Sequence, residues 1–177
     1  MKDPQKHSLY HAEQVLGDDT RVFTSLEQME EFVAKVLRSN FWTRRSDVTK
    51  VVVKLGRKDS GKACCYKPGR KWRGEVINDF LITIPPSWAP TYAVLLHELA
   101  HVLTSRQWDH GSDYAQAYLD LVENFMGPIS HKKLKQSFNL NAIDYTSKIT
   151  EAKKQEATQK AQREASSYLA FLSTFTK

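Results

Sequence analysis

The chain has 177 residues, 41% hydrophobic and 26% charged, the balance of an ordinary soluble globule: one domain, or one domain with an appendage. No apolar run approaches a membrane span, the polar start MKDPQKHSLYHAEQ lacks a secretory segment, and adjacent Cys64 and Cys65 cannot build a disulfide framework. The expected setting is therefore the cytoplasm, with one thiol buried and the other exposed. The net charge of +6 is unevenly placed: residues 44–73 hold eleven Lys or Arg against two acids, while the rest holds fifteen against eighteen.

In chain order, Ser8–Leu16 fits either a short strand or a helix. Ser25 opens a capping box with Gln28, and Leu26, Met29, Phe32, Val33, Val36 and Leu37 recur at helical spacing behind it. Val48–Leu55 alternates and is β-branched, which predicts a strand. Turn-rich GRKDSGK leads to a second strand over Ala63–Tyr66, and KPGRKWRG (67–74) is read as a turn before strands near Glu75–Ile77 and Phe80–Ile84. Pro85 and Pro86 end that last strand, and Pro90 is placed in the first turn of the next helix. A further helix is expected from Ser112 to Phe125, with Tyr114, Ala117, Tyr118, Leu121 and Phe125 on its apolar stripe and Gly127-Pro128 as its stop. Ser130 is read as the cap of a short helix ending at Phe138. Residues 147–167, rich in Ala, Lys, Gln and Glu, predict a C-terminal helix that covers the core or self-associates.

Chemistry concentrates in TYAVLLHELAHVLTSRQWDHG (91–111). His97 and His101 stand four residues apart, one helical turn, so both imidazoles reach one face and can share a metal ion. Glu98 projects beside them, placed to take a proton from water. Imidazole pairs of this kind suit Zn²⁺, which brings the pKa of bound water down to about 7. As two ordinary buried histidines and a carboxylate, the three groups would each need another partner. The metzincin class is excluded, because it needs glycine at position 104 and histidine at position 107, where Thr104 and Gln107 stand. A third ligand comes from His110, ahead of the turn at Gly111, or from Glu123 or Asp113 further on.

HELAHVLT followed by HGSDY resembles the SprT-like zincins, in which HExxH is followed by a His-Gly pair and an aromatic residue. DPQKHSLYHAE, LLHELAHVL and HGSDYAQAYLDLVENFMGP carry a closer resemblance, over residues 3–145, to a small family of zinc metallohydrolases from actinobacteria and their phages. Tyr114 departs from the usual Phe. The resemblance implies His110 as third ligand and a compact zincin fold. It further implies that the last strand before the metal helix, here Phe80–Ile84, lines the cleft and pairs with an extended peptide.

The combined expectation is an α+β protein: a small, mostly antiparallel sheet packed on the HExxH helix over residues 1–145, and a helical extension over 146–177. It binds one Zn²⁺ through His97, His101 and His110 and hydrolyses peptide bonds with Glu98 as general base. No oxyanion donor is assigned; Tyr92 and Tyr114 are near the site in sequence and merit testing. The alternatives are a zinc-stabilised module that binds nucleic acid or protein without turnover, and a hydrolase of a non-peptide amide. Arg70, Lys71, Trp72 and Arg73 form the candidate nucleic-acid contact, since cations with an aromatic among them suit phosphates and unpaired bases. SprT-like proteases act on proteins crosslinked to DNA, which is what the resemblance adds to that reading.

Overall fold

A computed structural model describes residues 3, 5–17, 19–87, 90–104 and 110–145. Met1–Tyr145 form one compact unit. The expected C-terminal helix over 147–167, and the self-association assigned to it, lie outside the described residues.

The ambiguous N-terminal stretch is a helix, α1 (Lys6–Glu13), running into a 3₁₀ turn at Gln14–Leu16. Leu9, Ala12 and Leu16 are fully buried, so its apolar positions recur with the period of a helix. α2 (Leu26–Leu37) starts as its sequence predicts: the Ser25 side chain accepts from the Gln28 amide. In return the Gln28 side-chain oxygen accepts from the amide of Thr24, one residue earlier than a capping box requires. Met29, Phe32, Val33 and Val36 form the buried stripe. A single turn, α3 (Asn40–Thr43), then buries Trp42, whose indole N–H donates to the Val48 carbonyl at 2.8 Å.

Five strands follow: β1 (Val51–Leu55), β2 (Cys64–Tyr66), β3 (Lys71–Trp72), β4 (Glu75–Val76) and β5 (Phe80–Ile84). The main sheet has the order β1-β5-β2 and is mixed, which corrects the mostly antiparallel expectation. β1 and β5 pair in parallel from Val51↔Phe80 to Leu55↔Ile84, while β2 pairs antiparallel with β5. Parallel pairing needs a long crossover, and residues 56–79 supply one. β5 is the central strand, with Leu81, Ile82, Thr83 and Ile84 all buried, as a strand covered on both faces must be. Both of its edges are occupied, so it cannot receive a peptide by strand addition. That expectation was tied to the wrong strand.

The 67–74 segment is more than a turn. β3 and β4 form a small hairpin closed by Arg73 (φ 50) and Gly74 (φ 91), the paired positive φ angles of a tight two-residue connection.

α4 (Tyr92–Leu103) begins after Thr91, which caps it by accepting from the Val94 amide, so Pro90 lies just outside the helix. The Ala93 amide donates to Thr20 Oγ1, and the Tyr92 amide to the Arg21 carbonyl, satisfying two more groups that a helix start leaves open. α5 (Ser112–Phe125) has the expected bounds and packs on α4. α6 (Pro128–Leu140) starts earlier and ends later than expected, with Gly127 (φ 98) as its cap and Ser130 buried inside its first turn. No helix among the described residues is long and apolar enough to cross a membrane.

Candidate metal centre

α4 holds Leu95, Leu96, Leu99 and Ala100 fully buried, which locks the helix by packing and fixes the direction of His97 and His101. His110 arrives from the residue pair ahead of α5. Gly111 serves as the N-cap of α5 with φ −67 and ψ −174, extended backbone that any residue adopts, so the turn there does not depend on glycine. The three imidazoles converge: one nitrogen of each lies within 4.8 Å of the others, and all three residues are buried. Glu123 and Asp113 are not in this cluster; Glu123 is largely exposed and sits 3.7 Å from His131.

Two of the three rings are held by carboxylates from the N-terminal segment. His97 Nδ1 lies 2.8 Å from Glu13 Oε1, and His110 Nδ1 lies 2.5 Å from Asp3 Oδ2. Asp3 also accepts from the His110 amide, and the Gln5 side chain donates to the His110 carbonyl at 3.0 Å. Gln5 in turn accepts from the Asp144 amide, tying the arm to the end of the compact unit. A carboxylate on Nδ1 holds the proton there and leaves Nε2 as the donor atom. The Nε2 atoms of His97 and His110 consequently face each other at 3.4 Å inside the protein. Two lone pairs at that separation repel unless a cation or a proton stands between them. The donor set fits a metal ion: three buried imidazoles, two of them held in one tautomer by outer carboxylates.

Around these groups the electrostatics are uneven. Burial pushes His101 down to about 2, helped by the charges of His97 and His110, which keeps it neutral. Burial also lowers His110, with Asp3 opposing. Burial lowers His97 as well, but the charge and hydrogen bond of Glu13, together with Glu98, outweigh it and leave the ring raised. Glu98 is buried, and burial lifts its carboxyl to about 7; the charge of His97 and an amide hydrogen bond from Cys65 of β2 oppose the rise, and Glu13 adds to it. A carboxyl near 7 can both accept and release a proton at neutral pH.

The raised carboxyl has a consequence for stability in the absence of metal. A group whose folded pKa lies above its unfolded value favours folding fully below the unfolded pKa and loses that contribution as pH rises through the folded one. For Glu98 the window runs from 4.5 to about 7. Metal-free Glu98→Gln should match the metal-free parent in urea unfolding below the window. Above it the variant should be more stable, by roughly 3 kcal/mol. A stability difference independent of pH would contradict the assignment.

Of the two tyrosines near the site in sequence, Tyr92 is held by its ring and Tyr114 by its hydroxyl. Tyr92 stacks on Phe23 and Phe32, with ring centroids 4.6 and 4.3 Å away. Tyr114 lies beneath His101 and His110, and its buried hydroxyl donates to the His97 carbonyl at 3.2 Å. Residues that sequence reasoning missed are Asp3, Glu13 and Tyr10, all from the DPQKHSLYHAE stretch; its two acids and its aromatic, in a segment already carrying a resemblance, were the available signal. Cys64 and Cys65 are both free and half-buried, rather than one in and one out. In the β3–β4 hairpin, Arg70, Lys71 and Arg73 are exposed and Trp72 is half-buried.

No family model, curated protein or solved structure matches this chain. The reading of the centre consequently rests on its own geometry.

Proposed function

We propose that the protein is a zinc-dependent hydrolase, and a metalloprotease in particular. The observation that carries this reading is the convergence of His97, His101 and His110, two of them held by carboxylates, with the buried carboxyl of Glu98 near enough to His97 to interact with its charge. A zinc ion held by the three imidazoles would supply Lewis acidity and make water acidic enough to attack an amide near neutral pH. Glu98 receives the proton that water gives up and passes it to the departing amine, a role open to a carboxylate buried against His97. Glu13 and Asp3 hold the ring orientations throughout. Residues of β2 close one side of Glu98, since the Cys65 amide is engaged with its carboxylate. Two free thiols suit a reducing cytoplasm as the place of action. Zinc-loaded protein assayed on a fluorogenic peptide library beside a panel of small amides tests the reading. Cleavage of peptides supports a protease, cleavage of small amides alone a different hydrolase, and no cleavage of either a binding module.

The β3–β4 hairpin favours a second role, contact with nucleic acid. Residues 44–73 carry eleven cations against two acids, and Arg70, Lys71 and Arg73 are exposed among them. Trp72 is flanked by cations already: Lys54 Nζ lies 4.7 Å and Arg73 Cζ 4.5 Å from its ring centroid. A base would have to displace one of them to stack, so phosphate contacts carry this role more than stacking does. Binding of a fluorescent single-stranded oligonucleotide should fall steeply with salt. Changing Arg70, Lys71 and Arg73 together to Ala should weaken it and flatten the salt slope by about 3. Unchanged binding in that variant removes the hairpin from the account.

A further inference from the structure

Tyr10 occupies a place at the metal centre for which neither the motif nor the proposed chemistry has a use. It lies on the face of α1 that faces His97 and His110, with its ring centroid 5.5 Å from the first and 5.3 Å from the second. The other aromatic rings against the cluster, Tyr114 and Tyr118, are 1% exposed, whereas Tyr10 is 41% exposed. Their hydroxyls are spent on the His97 and Ala93 carbonyls. The Tyr10 hydroxyl has no hydrogen bond to any other described residue. Its ring is therefore held by packing on two of the three metal-binding histidines, while its polar end is left for solvent or for a molecule replacing solvent there.

A phenol offers a neutral O–H at pH 7 and two acceptor positions on oxygen. A carbonyl oxygen brought to the cluster has lone pairs and no hydrogen, so it can take that O–H. As water adds to the carbonyl carbon, the carbon–oxygen double bond opens and the electron pair moves to oxygen, which strengthens the hydrogen bond in the transition state relative to the ground state. The phenol keeps its proton; the proton released by water goes to Glu98.

We propose that Tyr10 is a catalytic residue whose hydroxyl donates to the reacting carbonyl oxygen of the substrate. This rests on the hydrolase reading above. It also gives the N-terminal segment two tasks at one site: Asp3 and Glu13 orient the histidines, and Tyr10 meets the substrate.

Tyr10→Phe keeps the ring and its packing and removes only the hydroxyl. The full chain, zinc-loaded, is compared with the parent for zinc content, for kcat and KM on a cleavable peptide, and for affinity toward a phosphinic peptide. The tetrahedral oxygens of that inhibitor stand for the charged reacting centre. The expected result is unchanged zinc, KM within about threefold, kcat lower by about 100-fold, and phosphinic-peptide affinity lower by a similar factor. A parent that cleaves while Tyr10→Phe stays within about threefold in both kcat and inhibitor affinity overturns the Tyr10 assignment and leaves the hydrolase reading standing. Loss of zinc in Tyr10→Phe overturns it too, by making the hydroxyl a support of the metal centre. A zinc-loaded parent that cleaves nothing overturns the hydrolase reading, and the role of Tyr10 with it.

Discussion

Glu98→Gln is expected to retain its zinc and to lose about a hundredfold to ten-thousandfold in turnover, the usual range for removing a general base. The two side chains have the same shape, and Glu98 is not one of the three converging nitrogens, so metal content should not change. What changes is the ability to take a proton. A carboxylate at 98 can accept a proton and return it, whereas an amide cannot. The Cys65 amide still finds a carbonyl oxygen at the same place, so the local backbone has no reason to move. The measurement is kcat on a cleavable peptide for both proteins at equal zinc occupancy. Comparable rates would remove Glu98 from the mechanism.

The second large effect should appear in metal affinity, without reference to turnover. Asp3→Asn and Glu13→Gln should each weaken zinc binding by about 10- to 100-fold, the range typical of outer carboxylates on metal-bound histidines. Both substitutions keep an oxygen near the ring nitrogen but remove the negative charge that raises its basicity, and the amide can turn its NH₂ toward the ring instead. His97 and His110 would then no longer be held in one tautomer. Competition with a chromogenic chelator reads the affinities directly. His101, whose neutrality comes chiefly from burial, depends on neither acid and should keep its orientation. Affinities unchanged in both variants would reduce the carboxylate contacts to surface ion pairs.

The parts of this centre that could be read from sequence are those whose partners are close along the chain. His97 and His101 share a face because a helix repeats every 3.6 residues, and an apolar run around them made the helix certain enough to place them. Ser25 with Gln28, and the bounds of α5, follow from the same short-range rules. Local chemistry did not reach the carboxylates: Glu13 meets His97 across 84 positions, and Asp3 meets His110 across 107. Nor could alternation within each strand say which strands are neighbours. FLITI at 80–84 reads equally as an edge or a centre until its burial on both faces is known, and the parallel β1–β5 ladder made it a centre. The turn reading of 67–74 missed β3 because a two-residue strand has no period to detect. Tyr92 and Tyr114 were singled out for nearness in sequence, yet the ring of one is half-buried against Phe23 and Phe32 and the other's hydroxyl is spent on a backbone carbonyl.

The most direct measurement is the metal content of the purified protein, by elemental mass spectrometry, beside His110→Ala. The three converging histidines predict close to one zinc per chain in the parent and a sharp loss in the variant. Zinc retained in full by His110→Ala would place the third ligand elsewhere and undo the centre described here. Absence of zinc from both, even after reconstitution, would leave the three buried histidines without a metal and favour binding over catalysis.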